Sequence, residues 1–136
     1  MSAAKKDVYV EGIGRRKTAT ARVRLTQAKE TTIIVNGKKV EDYFPHASLL
    51  KSIQSVLDTP DAGIENYTIS VHVSGSGTTA QAEAIRLGIA RALVKEKGER
   101  RSPLKLLGFL KRDPRSVERK KFGLRKARKR PAWSKR

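Results

Sequence analysis

The sequence predicts one α+β domain of about 110 residues, followed by a long basic tail. Alternating strand patterns and apolar residues at helical spacing fill the first part of the chain. The last 26 residues hold 13 Lys or Arg, two acids and only four large apolar side chains. Ordering each residue's backbone costs roughly 1–2 kcal/mol, which four apolar groups at roughly 1.5–3 kcal/mol each do not offset. We therefore divide the chain into a globular domain, 1–110, and an extended tail, 111–136, that orders on a partner.

A basic hairpin is predicted at the start of the domain. Residues 8–13 form a short strand, residues 14–17 a turn that contains Arg15, Arg16 and Lys17, and residues 18–26 a second strand. In the second strand Ala19, Ala21, Val23 and Leu25 share one face, so Arg22 and Arg24 lie on the other. These arginines face a ligand or simply solvent, and the sequence favours neither.

The middle of the domain combines two further strands with a helix. Residues 31–35 are a β-branched run that ends at Asn36-Gly37, a strong turn signal. After a break at 41–46, Pro45 suits the first turn of a helix, which a stop signal ends at 58–61. Its core-facing side consists of Leu49, Leu50, Ile53, Val56 and Leu57. Residues 66–74 then alternate as a strand whose outward positions include His72.

A long helix is predicted after Gly75-Ser76-Gly77. Thr78 and Gln81 have capping-box spacing, Gly98 marks the end, and Gly88 indicates close packing. A short helical turn follows from Ser102-Pro103, with Leu104, Leu106 and Leu107 inward and Gly108 closing it.

No residue pattern predicts catalysis, a metal or a cofactor. The acids are scattered, His46 and His72 are isolated, and the absence of cysteine excludes disulfides and thiolate metal sites. The glycine loop at 75–77 lacks the spacing and lysine of a P-loop, so an ordinary turn is favoured over a phosphate site. We expect a protein that is not an enzyme.

The charge predicts a polyanionic partner. The formal net charge is +18, of which the tail carries +11, from 13 basic and two acidic side chains, and residues 1–110 carry +7. A nucleic acid is the leading candidate. No apolar run approaches the roughly 18–20 residues of a membrane span, so we expect no membrane partner. The first seven residues lack a signal-peptide core, which predicts a cytoplasmic protein.

The tail combines cations with one aromatic residue near its end. Asp113-Pro114-Arg115 predicts an extended start, and residues 116–129 tolerate a helix in the bound state. Trp133 can stack on a base while neighbouring Arg and Lys contact phosphates. A nonspecific polybasic tail or a localisation signal is the alternative interpretation.

Several motifs in order resemble the universal family of small-subunit ribosomal protein nine, in its bacterial form. The similarity spans nearly the whole chain. It rests on 14–23 (GRRKTATARV), 35–37 (VNG), 81–82 (QA), 84–93 (AIRLGIARAL), 112–115 (RDPR), 118–121 (ERKK), 126–131 (KARKRP) and 134–136 (SKR).

This resemblance implies a two-layer α/β sandwich of the ribosomal S-five-domain-two-like type, bound to rRNA in the small-subunit head beside neighbouring ribosomal proteins. It also implies a tail whose tip, Ser134, Lys135 and Arg136, contacts the anticodon arm of the peptidyl-site tRNA. The protein would then be cytoplasmic, in the ribosome. The predicted rRNA-binding residues are Arg15, Arg16, Lys17, Arg22, Arg24, Arg112, Arg115, Arg119, Lys120, Lys121, Arg125, Lys126, Arg128, Lys129, Arg130 and Trp133.

The chain departs from the usual family pattern in two places. Ser76 and Ala80 stand where glycines are usual, which weakens any backbone phosphate contact there. Trp133 replaces a Phe and Ala132 a Gln, which keeps stacking and removes an amide. Two alternatives remain at this point: a DNA-compacting basic protein, and the protein subunit of an RNA-processing enzyme.

Overall fold

The computed structural model describes residues 8–60 and 62–133 and confirms a mixed α+β domain. Its elements, in chain order, are β1 (Val10–Arg16), β2 (Ala19–Gln27), β3 (Thr32–Val35), β4 (Lys38–Lys39), α1 (Val40–Tyr43), α2 (Ala47–Leu57), β5 (Tyr67–Ser74), α3 (Thr78–Glu96), a 3-10 turn (Gly98–Arg100) and α4 (Arg101–Leu106). No helix in these two ranges is long and apolar enough to cross a membrane.

The five strands form one mixed sheet in the order β1-β2-β5-β3-β4. β3 and β5 are parallel, and the connection between them passes through α1 and α2. The predicted Asn36-Gly37 turn is confirmed, with φ of 49° and 81° at the two residues. The Asn36 side chain also donates to Val73 O at 2.9 Å and accepts from Val73 N at 3.0 Å, which fixes the turn to β5.

The first hairpin turns later than predicted. β1 continues through Arg16, Arg16 pairs with Ala19, and the turn consists of Lys17 and Thr18 only. The glycine expected to begin the turn has another role: a Cβ on Gly14 would lie 1.7 Å from Ala84 O of α3. Gly14 is therefore required for contact between helix and strand and stays in the extended strand.

Close packing at Gly88 is confirmed. A Cβ on Gly88 would lie 2.7 Å from Val23 Cγ2, and one on Gly12 would lie 2.3 Å from Gly88 O. The backbone of α3 thus rests directly on β1. Other sides of α3 are covered too, since Leu87 and Ala90 are buried as well as Ile85, which lies on a different side of the helix.

Two details of the helix starts differ from the predictions. A helical turn, α1, occupies part of the expected break, and Pro45 lies before α2, whose N-cap is His46. The capping box is wrong as well, because the N-cap of α3 is Gly77 and no side chain caps it. Gln81 instead donates to Gly75 O at 3.0 Å and accepts from the Tyr43 hydroxyl at 2.8 Å.

The short helix α4 is confirmed, but only one of the three leucines predicted to face inward does so. Leu104 is buried, whereas Leu106 and Leu107 are 87% and 53% exposed. The helix ends at Leu106 and Gly108 has φ of 79°, so the chain turns before these leucines can reach the core.

Arg100 in the preceding 3-10 turn is fully buried, although no pattern in the sequence distinguishes it from the other arginines. It donates to the Tyr67 hydroxyl at 2.9 Å and pairs with Glu96 at 3.2 Å. A buried guanidinium with these partners ties α3 to β5 at one end of the domain.

Candidate nucleic-acid interface

One side of the sheet carries no helix in the described part of the chain, and we call this side the outer face. The inward residues of β2 and β5 are buried in the core that they share with α2 and α3, while the outward residues remain exposed or half-buried. The register places Arg22 opposite His72 and Arg24 opposite Ser70. These four side chains line a shallow depression of about 240 Å³.

Two contacts hold the outer-face arginines in place. Arg22 is ion-paired with Glu11 on the neighbouring strand, and the Arg24 guanidinium lies 4.6 Å from the centre of the Tyr9 ring. The hydrogen bond from Arg22 lowers the pKa of the Glu11 carboxyl, so Glu11 is ionised at neutral pH. Glu11 offsets only part of the charge of Arg15, Arg22 and Arg24. The outer face is therefore a fixed, positively charged surface that also presents serine and threonine hydroxyls.

The predicted hairpin residues separate into two groups. Arg15 and Lys17 are exposed at the tip, as expected for phosphate contact. Arg16 points inward and is 9% exposed, because it shares the inward phase of Gly12 and Gly14 in β1. The structure thus removes Arg16 from the exposed basic surface.

Arg16 joins the domain to the first residues of the tail, 111–115, which we call the tail root. Its guanidinium pairs with Glu83 of α3, donates to the Arg115 carbonyl oxygen, and lies 3.5 Å from Asp113 Oδ2. Asp113 in turn accepts from the Arg115 guanidinium at 2.7 Å, and this contact holds the pKa of the Asp113 carboxyl well below its usual range. One buried arginine of β1 therefore contacts both α3 and the tail root. We call this arrangement the Arg16 clasp.

A basic pocket that the sequence did not indicate lies beside the clasp. It measures about 420 Å³ and is lined by Arg86, Lys111 and Arg115, with Asp113 and Pro114 completing the wall. Arg86 lies 5.7 Å from the centre of the Phe109 ring and donates to Ser52 Oγ at 3.3 Å. No sequence pattern indicates a role for Arg86, because it belongs to α3, whose other residues are mostly apolar and buried, and because it is far from the tail along the chain.

Beyond its root the tail contains no helix or strand up to Trp133. Glu118 pairs with Lys121 and, at 2.8 Å, with Arg128, while Arg125 N donates to Lys129 O at 2.8 Å. These contacts bend 118–129 into an irregular loop. The helix tolerated at 116–129 is absent here, and its formation on binding stays a prediction.

Most predicted contact residues of the tail are exposed. Val117, Phe122 and Trp133 are 86%, 100% and 85% exposed, so three of the four large apolar side chains of the tail have almost no packing among the described residues, while Leu124 is half-buried. Three basic residues, Lys121, Arg115 and Arg128, already pair with acids of the tail. The remaining predicted residues present their charge to solvent: Arg112, Arg119, Lys120, Arg125, Lys126, Lys129 and Arg130. Ser134, Lys135 and Arg136 lie outside the described residues.

A basic sheet face and an exposed basic tail are features of a nucleic-acid-binding protein. Comparison with known proteins identifies the particular family. The family model for ribosomal protein S9/S16 matches residues 14–136. The small ribosomal subunit protein uS9 of Synechocystis is 51% identical over 127 residues, which cover 92% of this chain and 90% of that one. The corresponding protein of Mycobacterium tuberculosis is 48% identical over 127 residues, covering 93% and 83%.

The chain therefore belongs to the ribosomal protein S9/S16 family, whose members are structural and not enzymatic. The resemblance drawn from the motifs is confirmed. Both alternatives, a DNA-compacting protein and a subunit of an RNA-processing enzyme, are set aside by this match.

Proposed function

We propose that this protein is a structural component of the small ribosomal subunit that binds rRNA through its outer face and tail, and that its C-terminal tip contacts the peptidyl-site tRNA. The observation that carries the proposal is the pairing of a helix-free basic sheet face with an exposed tail of high positive charge in one chain. Family membership, with relatives named as small-subunit proteins, supports the location. The protein then acts in the cytoplasm, within the ribosome.

The outer face suits RNA better than it suits an apolar partner. Arg22 and Arg24 are held at fixed positions and provide charge for phosphates, while the hydroxyls of Ser70 and its neighbours can bond phosphate oxygens or ribose 2′-hydroxyls. The face lacks a row of aromatic platforms, so it recognises backbone and shape and does not stack on several bases. Such contacts position the protein without reading sequence.

The tail extends this recognition away from the domain. The pocket of Arg86, Lys111 and Arg115 provides a phosphate site where the tail begins. Exposed cations then continue toward Trp133, which can stack on a base or ribose. We divide the chain functionally at residue 110, with 1–110 as a domain of the S-five-domain-two-like type and 111–136 as an extended tail that orders on RNA. Helices on one side of the sheet support the domain assignment.

Salt dependence of binding to a head-domain rRNA fragment tests the outer face. Replacing both Arg22 and Arg24 with alanine should reduce the slope of log K against log salt by about 2, since each lost phosphate contact contributes about 0.9. The matched control removes two exposed charges from the helical layer, Lys51→Ala with Lys105→Ala, and should leave the slope nearly unchanged. Equal effects of both pairs would mean that the charge acts nonspecifically.

Truncation tests the tail. Ribosomes whose protein lacks residues 134–136 should assemble normally but release peptidyl-site tRNA faster, because two cations beside the tRNA backbone are lost. An unchanged dissociation rate would contradict the tip's contact with tRNA. Removal of residues 111–136 should also reduce incorporation of the protein into the subunit, and normal incorporation would argue against rRNA contacts along the tail.

A further inference from the structure

A groove of about 570 Å³ lies at the edge of the sheet farthest from β1. It exists because β4 is only two residues long and pairs with Ile34 and Val35 alone before the chain turns into α1. Within residues 8–60 and 62–133, Thr32 and Ile33 therefore have a strand partner on the β5 side only. An uncovered strand edge exposes backbone groups that can pair with another strand.

The groove has an apolar floor between polar walls. Ile33 and Val40 are buried beneath it, and Leu57 and Ile64 are half-buried along it. Its end is closed by Asn66, which donates to Lys29 O at 2.9 Å and is bonded to Thr31 at 3.1 Å. The groove is thus a formed feature of the domain.

The charge of the groove is opposite to that of the rest of the protein. Among the described residues that line it, Glu41, Asp58 and Glu65 are acidic and Lys39 is basic, in a chain that has 31 basic and 13 acidic residues. Glu65 pairs with Lys97 at 3.0 Å, whereas Glu41 and Asp58 have no cation within 4.0 Å among residues 8–60 and 62–133. Phosphates would be repelled here, while Lys and Arg side chains would be attracted.

We propose that this groove binds an extended segment of a neighbouring protein that carries lysine or arginine and pairs as a short strand beside Thr32 and Ile33. Backbone hydrogen bonds at the edge, apolar contact with the floor and ion pairs with Glu41 and Asp58 form one continuous site for such a segment. The uncovered edge spans two residues, about 7 Å, so the strand pairing is short and the charges contribute much of the specificity.

The proposal rests on the proposed function in one respect, because the neighbour is taken to be another protein of the small subunit. The groove lies at the β3 edge, whereas Arg22 and Arg24 lie on β2, and β5 stands between these two strands, so rRNA and the protein segment bind at different places. The domain would then hold RNA on its sheet face and a protein neighbour at its far edge.

Site-specific photocrosslinking in assembled small subunits tests the inference. A benzoylphenylalanine replaces Gln54, an exposed residue of the groove wall, and in a second strain replaces His72 on the outer face. After irradiation of intact subunits, adducts are identified by mass spectrometry. We expect the probe at 54 to label a Lys- or Arg-containing segment of another protein, and the probe at 72 to label rRNA.

The outcomes separate the two proposals. An rRNA adduct at 54, an adduct with this chain's own tail, or no adduct at 54 when the probe at 72 reacts would each overturn the groove proposal and leave the proposed function intact. Failure of the probe at 72 to label rRNA would instead contradict the proposed function, whatever the probe at 54 labels.

Charge reversal gives a second measurement. Asp58→Lys, at an exposed position after α2, should reduce the yield of the adduct at 54 at least tenfold. Glu99→Lys is the matched control, since it reverses an exposed acid outside the groove and should leave that yield unchanged. Equal yields in the two variants would overturn the role of charge in the groove.

Discussion

Replacing Arg16 with alanine should release the tail root from the domain. Arg16 is the side chain that contacts Glu83, Asp113 and the Arg115 carbonyl together. A hydrogen bond to a charged group contributes roughly 1.5–3 kcal/mol, and an ion pair between partly exposed groups roughly 0.2–1 kcal/mol. Because Asp113 and Glu83 are each 32% exposed at their side chains, solvent screens both pairs, and we take the lower part of these ranges.

A loss of about 2 kcal/mol changes the ratio of docked to released tail root by a factor of about 30. Global stability should fall by a similar amount, since Glu83 is left without its arginine partner. Arg16→Lys should be intermediate, because an ammonium keeps the charge but lacks the planar fork that reaches several partners. Arg15→Ala is the matched control, with an exposed side chain one residue earlier in β1.

The chain contains no cysteine, so two introduced cysteines give a unique pair of labels. Nitroxides at Ser48 of α2 and at Ser116, next to the tail root, report their separation by pulsed electron resonance. We expect a narrow distance distribution in the parent protein and in Arg15→Ala, and a broad one in Arg16→Ala. A distribution in Arg16→Ala as narrow as that of the parent would refute the clasp.

Three further predictions concern the fold and the outer face. Gly14→Ala should destabilise the domain by more than about 3 kcal/mol in denaturant unfolding, because its Cβ would lie 1.7 Å from Ala84 O, whereas Gly98→Ala, with open space around it, should cost far less. In an NMR titration the Glu11 carboxyl should titrate below its ordinary pKa of 4.5, and Arg22→Ala should return it toward that value. The lowered pKa means that the stabilisation from this pair is present above pH 4.5 and is lost as the pH falls through the folded-state pKa, so Arg22→Ala should remove that pH dependence. Tyr67→Phe should lower stability by about 1–3 kcal/mol, since it removes the nearer of the two acceptors of the buried Arg100 Nη2, whose other acceptor is Gly63 O at 3.3 Å, and an unchanged unfolding midpoint would count against that bond.

The secondary structure was largely predictable because the inward residues alternate or repeat at helical spacing. Strand β5 differs from its prediction by one residue, and the Asn36-Gly37 turn has the positive φ values that its sequence demands. The predictions were wrong where a contact between distant parts of the chain determines the position of a residue. Gly14 was predicted in a turn, but it lies in β1 because α3 packs against it. Leu106 was predicted in the core, but it is exposed because the chain turns at Gly108.

The candidate site was predictable in composition but not in arrangement. The outward phase of β2 placed Arg22 and Arg24 correctly, because alternation alone determines the face. The same alternation along β1 from Gly12 places Arg16 on the inward side. Gly14 instead indicated a turn at 14–17, so the alternation was not extended to Arg16. Arg16 contacts Glu83 and Asp113, which lie 67 and 97 positions further along the chain, and no local sequence pattern predicts contacts over such separations.

Directed hydroxyl-radical probing of the assembled subunit determines which face of the domain lies against rRNA. An iron chelate is attached to a single cysteine, at Ser70 on the outer face or at Ser48 on the exposed side of α2. We expect strong, localised rRNA cleavage from position 70 and weaker cleavage from position 48. Strong cleavage from position 48 with none from position 70 would show that RNA binds the helical layer and would contradict the assignment of the sheet face as the rRNA-binding surface.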